Sequence, residues 1–251
     1  MKIGILETGE LSEPLRSTYG PYGPMFEALL KRAASDLTVE TVSVVNDVWP
    51  ASVDAADGWI VTGSRHGVYD DLPFIPKLGA FLCDAYAARI PMVGVCFGHQ
   101  IMAHALGGRA EKSHKGWGVG AHTYQMRLKP SWMDGIGDSM CVRAMHQDQV
   151  VEVPPTAQVL ASSEFCTNAA FVYGDPEAPD AISVQPHPEF DADFMADLIR
   201  TRARTLIPAE TADTALNSLS EEADTQLWAA WMVRFFRDAV ARRSANRSAA
   251  E

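Results

Sequence analysis

The sequence predicts an α/β fold built on a mixed, largely parallel sheet, and three observations predict it. Short, continuously apolar runs alternate with amphipathic stretches up to Leu106, the pattern of parallel strands covered by helices on both faces. Beyond Gly107-Gly108 the apolar runs follow one another with turn residues between them and little helical periodicity, which adds strands that are partly antiparallel. From Asp191 onward the character is helical.

Taken in order, residues 2–6 form the first strand and 25–34 a helix. Strands over 38–44 and 58–61 precede a helix over 75–88, a strand over 91–95 and a helix over 100–106. The segments 120–128, 140–144, 157–162, 169–173 and 181–184 are the later strands. A helix over 191–204 leads into a polar loop over 208–220 and a final helix over 221–243. That helix carries Leu227, Trp228, Trp231, Met232, Phe235 and Phe236 at helical spacing. Such a stripe packs on its own domain or forms a homodimer contact, because left wet it would be costly. A chain of 251 residues suits one catalytic domain. It is expected over 1–204, with 205–251 a C-terminal loop and amphipathic helix.

Composition excludes several function classes. A net charge of −11 argues against nucleic acid and anionic membrane as partners, since both require clustered Lys and Arg. No apolar run approaches the ~18 to 20 residues of a membrane span, and Met1 to Leu6 enters a strand without a signal-peptide pattern. A cytoplasmic location is the expectation. Cys83, Cys96, Cys141 and Cys166 are irregularly spaced, which fits neither a disulfide framework nor a metal site, and the histidines show no metal-ligand spacing either. Cys83, Cys141 and Cys166 read as packed, inert thiols.

Cys96 reads differently. Met92-Val93-Gly94-Val95 is an apolar strand that runs through Cys96 into Phe97-Gly98 and an apolar helix. A sharp strand-to-helix turn lifts the residue at the turn clear of its neighbours, and glycines two residues to either side let backbone pack beneath it. Cys96 is therefore expected on display. The helix that follows aims its free N–H groups and the positive end of its dipole at the sulfur, an environment that favours negative charge there. This is the nucleophile-elbow pattern with cysteine in place of serine.

The strand over 181–184 leads directly into Gln185-Pro186-His187-Pro188-Glu189-Phe190. A residue before proline is pushed toward extended geometry, so Pro186 and Pro188 hold His187 out of any helix. In an extended chain residues two apart face the same way, which puts His187 and Glu189 on one side. A nucleophile at one strand end, a base at another and an acid that orients the base form the logic of a catalytic triad. A lone histidine is ordinarily a satisfied surface or core residue; the conjunction with the elbow cysteine is what has no easy structural explanation.

With these residues in place, the sequence resembles the class I, or triad, glutamine amidotransferases. Their signature pairs a Gly-x-Cys-x-Gly-x-Gln elbow with a later His-Pro-Glu. Here those motifs read Gly94-Val95-Cys96-Phe97-Gly98-His99-Gln100 and His187-Pro188-Glu189. The resemblance runs from residue 1 to about 204, is strongest to the glutaminase domain of GMP synthase, and implies a flavodoxin-like fold. The helix from Glu221 lies outside it.

The resemblance also implies a route. Cys96 attacks the γ-carboxamide carbon of glutamine, and His187 takes the thiol proton and returns it to the departing ammonia. Water then hydrolyses the γ-glutamyl thioester, while Glu189 holds His187. Backbone N–H groups stabilise the oxyanion, one from Phe97 and the other from the loop Thr62-Gly63-Ser64-Arg65-His66-Gly67. The family usually carries two glycines and a proline in that loop. Either Gly63 or Ser64 donates, and Ser64 has less conformational freedom than glycine. Gln100 matches the position that lines the pocket for the amino-acid end of glutamine, although it could cap the helix. Asp148 stands where relatives bind the α-amino group, although it could begin the turn before Val150. No cofactor is implied.

Too few residues follow Glu189 for an acceptor-activating domain, and no P-loop is present. The favoured expectation is an enzyme that acts alone on glutamine or related γ-glutamyl small molecules. The alternatives are a glutaminase subunit that passes ammonia to a separate synthetase partner, and a non-catalytic regulatory module.

Overall fold

The computed structural model describes residues 1–248. The first half comprises β1 (Lys2–Leu6), α1 (Leu15–Tyr19), α2 (Tyr22–Ala33), β2 (Thr38–Val42), β3 (Gly58–Val61), α3 (Phe74–Ala87), β4 (Met92–Val95) and α4 (Phe97–Ala105). Seven strands follow: β5 (Arg109–Lys112), β6 (Gly118–Met126), β7 (Ser139–His146), β8 (Asp148–Glu152), β9 (Ala157–Ser162), β10 (Ala170–Asp175) and β11 (Ala178–Val184). The helices α5 (Ala192–Arg202), α6 (Ala209–Ser218) and α7 (Thr225–Ser248) complete the order.

Nine strands form one sheet in the order β2-β1-β3-β4-β11-β10-β9-β6-β7. Pairing is parallel from β2 to β11 and antiparallel from β11 to β7. The mixed sheet flanked by helices is the architecture the sequence predicts. The centre of its parallel half is buried on both faces: β3 and β4 are buried at every position, which is why they read as unbroken apolar runs, whereas the edge strand β2 is largely exposed. The carboxyl ends of β1, β3, β4 and β11 lie side by side, and it is outside such ends that open α/β sheets place their ligands.

Four elements differ from the sequence expectation. Strands β5 and β8 pair as a separate two-stranded sheet that the sequence does not announce, since only Ala110, Gln149 and Val150 among their residues are buried. The short helix α1 is likewise unannounced. The stretch read as a polar loop contains α6, whose Ala212 and Ala215 lie flat on β6. A β-carbon on Gly120 of β6 would stand 2.9 Å from the Ala215 Cα, so this helix is held by close backbone approach to a glycine rather than by a broad apolar face.

Helix α7 is enclosed by its own chain. Trp228, Trp231, Met232, Phe235 and Phe236 share one core cluster with Ile3 and Ile5 of β1, Phe26, Leu29 and Leu30 of α2, and Val142 of β7. The Trp231 indole N–H donates to the Asp134 carbonyl at 3.0 Å. Phe236 lies over Gly58, where a β-carbon would meet its ring at 2.7 Å.

Candidate active site

Cys96 terminates β4 with φ 54° and ψ −103°, a conformation non-glycine residues rarely occupy and one associated with strain at functional turns. Its N–H donates to Val184 at 2.9 Å, tying the elbow to β11. The flanking glycines are sterically required. A β-carbon on Gly94 would lie 2.5 Å from the Gly98 carbonyl oxygen, and one on Gly98 would lie 2.2 Å from that of Val61. The thiol is nonetheless not on display, because Cys96 is only 5% exposed. Loops from other strand ends close over the elbow, and Cys96 lines a cavity of about 790 Å³ whose walls come from residues 64–70, 145–148 and 198–208.

His187 reaches this cysteine from β11. Its backbone N–H donates to the Arg143 carbonyl at 2.7 Å, an isolated bridge to β7 that fixes the extended segment. The Nδ1 of the ring sits 2.7 Å from Oε1 of Glu189. The ring lies within electrostatic reach of the Cys96 sulfur and stacks on Phe190 at a centroid distance of 4.0 Å and an angle of 5°. The Glu189 side chain is fully buried, and its Oε2 has no hydrogen-bond partner among the described residues. Burial by itself would lower the pKa of His187, but the Glu189 carboxylate and the Cys96 sulfur outweigh it and raise the pKa to about 10. The structure thus brings Cys96, His187 and Glu189 together, with His187 hydrogen-bonded to Glu189 and both His187 and Cys96 against Gly63.

The two candidate sources of oxyanion donors flank the thiol. The N–H of Phe97 opens α4 and so has no intrahelical acceptor, whereas Gly98 donates to Thr62 at 3.1 Å and Gln100 to Cys96 at 3.0 Å. On the other side, Thr8 grips the loop after β3: its N–H donates to Thr62 Oγ1 at 3.0 Å, and its hydroxyl donates to the Gly63 carbonyl at 3.1 Å. Neither Gly63 nor Ser64 has a positive φ, so serine fits the second position without strain. Glycine is needed at the first for a different reason. A β-carbon on Gly63 would stand 2.7 Å from Cε1 of His187.

Gln100 does not cap its helix. Its amide nitrogen donates to the Asp148 carbonyl at 3.0 Å and to Gln185 Oε1 at 3.1 Å, which joins the elbow helix to β8 and to the segment that carries His187. Asp148 begins β8 rather than a turn, and its Oδ2 accepts from the Tyr69 hydroxyl at 2.8 Å. Burial raises the Asp148 pKa, against the opposing pull of Tyr69 and Lys112. Both residues line the cavity that holds Cys96.

Several participants carry no motif in the sequence. Phe190 is signalled only by its place after Glu189, and Tyr69, Gln185 and Arg143 by nothing. His99 is a framework residue, fully buried between Ser183 Oγ at 2.7 Å and the Asn168 carbonyl at 3.0 Å; burial lowers its pKa to about 3. His146 is also buried and neutral, its pKa lowered to about 3 by the same cause, with Nδ1 3.0 Å from the Asp148 carbonyl. Among the described residues no group of three or more His, Cys, Asp or Glu side chains is placed to hold a metal ion. None of the described helices is long and apolar enough to cross a membrane.

Comparison with known proteins gives concordant results. Residues 22–200 match the family described as glutamine amidotransferase class-I. The chain is 28% identical to gamma-glutamyl peptidase 3 of Arabidopsis thaliana, over 86% of this chain and 89% of that protein. It is 30% identical to a glutamine-hydrolysing GMP synthase subunit of Archaeoglobus fulgidus, over 72% of this chain and 91% of the other. The crystal structure of a glutamine amidotransferase from Methylobacillus flagellatus superposes with a TM-score of 0.73 at 22% identity, covering 95% of this chain and 94% of the other.

Proposed function

Because the chain belongs to the class I glutamine amidotransferase family, we propose that it is a self-sufficient cysteine hydrolase of γ-glutamyl amides and peptides that works through a γ-glutamyl thioester on Cys96. The observation that carries this reading is the contact from Glu189 Oε1 to His187 Nδ1, 2.7 Å long, with the Cys96 sulfur acting on the same ring.

In the first half-reaction the proton of the Cys96–His187 pair stays on the imidazole, whose raised pKa favours it there, and the sulfur attacks the γ-carbonyl carbon. The tetrahedral oxygen is held by the Phe97 N–H and by a donor from Gly63 or Ser64, each such donor contributing about 3 kcal/mol. The C–N bond then breaks as His187 returns its proton to the leaving nitrogen. In the second half-reaction His187 removes a proton from water, the oxygen attacks the thioester carbon, and the C–S bond breaks. The proton returns to sulfur and glutamate leaves. Glu189 keeps the imidazole oriented throughout and balances its positive charge. Asp148 receives the α-ammonium group, and Gln100 braces that wall.

Two observations support a γ-glutamyl compound larger than glutamine. The cavity of about 790 Å³ has room well beyond free glutamine, and the relative named a gamma-glutamyl peptidase aligns along 89% of its length. A second reading, delivery of ammonia to a separate synthetase, is favoured by the similarity to a GMP synthase subunit that is itself a separate chain. A cytoplasmic setting, where thiols stay reduced, suits either reading. The test is to compare ammonia release from glutamine with amine release from γ-glutamyl dipeptides by the purified protein. Turnover of the dipeptides without any partner supports the hydrolase. Activity confined to glutamine and dependent on added synthetase overturns it. A chain that a glutamine-analogue electrophile fails to label at Cys96 is instead a non-catalytic module.

A further inference from the structure

Two arginines line the cavity over Cys96 without an ion pair of their own among the described residues. Arg65 stands in the oxyanion loop, next to Ser64, and Arg202 ends α5. Neither forms a salt bridge there, although the chain carries a net charge of −11 and offers carboxylates in excess. Glu10, the acid within the field of Arg65, is already bound by Arg16 at 2.9 Å and by Asn46 at 3.0 Å. Burial raises the pKa of the Tyr22 hydroxyl to about 12; the Arg202 guanidinium opposes that shift, and Cys96 and Glu189 add to it. Arg202 and Cys96 line the same cavity, so the guanidinium faces the space in which the substrate reacts.

The acidic side chains of the cavity are Asp70 and Asp148. Asp70 is paired with His66, and Asp148 accepts from Tyr69 at 2.8 Å. The cavity therefore offers a carboxylate for a cation and two guanidinium groups for an anion. A γ-glutamyl compound held by its ammonium group at Asp148 keeps its leaving amine in the same cavity as the arginines. Ammonia needs no guanidinium to receive it, whereas a carboxylate on the leaving amine does, because two arginines offer fork-shaped donors matched to it.

We propose that Arg65 and Arg202 form a carboxylate-binding subsite for the leaving amine, so that the preferred substrates are γ-glutamyl amino acids or short γ-glutamyl peptides with a free carboxylate beyond the scissile bond. This inference rests on the hydrolase reading above and makes it specific.

The experiment compares γ-glutamylglycine with γ-glutamylethylamide, which lacks only the carboxylate, in the wild-type protein and in Arg65→Gln, Arg202→Gln and Arg202→Lys. The wild type favours γ-glutamylglycine in kcat/KM. That preference falls about tenfold in each glutamine variant, as expected for loss of a charge-assisted hydrogen bond, and is partly restored by lysine. Labelling of Cys96 by a glutamine analogue and the melting temperature verify that the variants fold. Equal kcat/KM for the two substrates in the wild type overturns the subsite while leaving the hydrolase intact. Equal losses on both substrates assign the arginines to the glutamyl half and also overturn it. Failure of the wild type to cleave either compound overturns the hydrolase reading and the subsite together.

Discussion

Gly63 and His187 approach so closely that a β-carbon on the glycine would stand 2.7 Å from Cε1 of the imidazole. The loop that flanks the nucleophile thus also sets the position of the base. Gly63→Ala is expected to displace the ring or the loop by a fraction of an ångström and to lower kcat by about a hundredfold. The melting temperature should change less than the turnover, because the atoms the added methyl meets belong to His187 and Cys96 of the site. Steady-state kinetics and thermal denaturation of the same sample measure both.

Removal of the nucleophile is expected to abolish turnover. Cys96→Ser should lower kcat by at least about a thousandfold, by analogy with other enzymes built on a nucleophile and base. Mass spectrometry after treatment with a glutamine-analogue electrophile should find no adduct in this variant and a single adduct at Cys96 in the wild type.

Glu189→Gln preserves the shape of the acid and removes its charge. Turnover is expected to fall by roughly a hundredfold to ten-thousandfold as the imidazole loses its orientation and its counter-charge. The same charge predicts a pH dependence of stability. In the folded protein His187 holds its proton to about pH 10, compared with an ordinary value of 6.5. Its contribution is therefore complete below about 6.5 and lost as the pH rises toward 10. The wild-type melting temperature should decline across that interval, and the decline should be shallower in Glu189→Gln.

Asp148 predicts a substrate-side pH effect of the opposite sense. Burial raises its pKa, so mild acid neutralises it earlier than an exposed aspartate. KM should rise as the pH falls through that raised value, with kcat less affected. In Asp148→Asn, KM should be high, by about tenfold, and insensitive to pH over the same range.

Helix α7 supplies a stability prediction independent of the site. Trp231 is 2% exposed and donates to the Asp134 carbonyl. Trp231→Ala is expected to cost about 3–5 kcal/mol, the range for a large aromatic removed from a packed core. Urea denaturation reads this directly, and labelling of Cys96 in the remaining folded fraction should proceed at the wild-type rate.

The centre of the parallel half of the sheet, β1, β3 and β4, was legible because these strands are buried: Ile3, Ile5, Ile60, Val61, Val93 and Val95 leave no polar phase to misread. The elbow and the His-Pro-Glu segment were legible because glycine and proline punctuate them. What the sequence concealed depends on contacts between distant segments. Strand β8 is polar at most positions and exists because Ala110 and Val150 meet across a small sheet. Helix α6 exists because Gly120 lets it lie flat, and no local pattern in residues 209–218 records a glycine on another strand. The burial of Cys96 was hidden for the same reason: the walls that enclose it come from loops after β3, β7 and α5.

The position of α7 within the core bears on how the protein is made. Ile3, Ile5, Phe26 and Leu30 belong to the first elements a ribosome releases, yet their cover includes Trp228, Met232 and Phe236, which are translated much later. A nascent chain that has finished the whole triad still presents this apolar face to solvent, and the active site is complete in sequence before the scaffold beneath it can close. During that interval the apolar face is open to aggregation, and this core cluster is complete only once α7 is added.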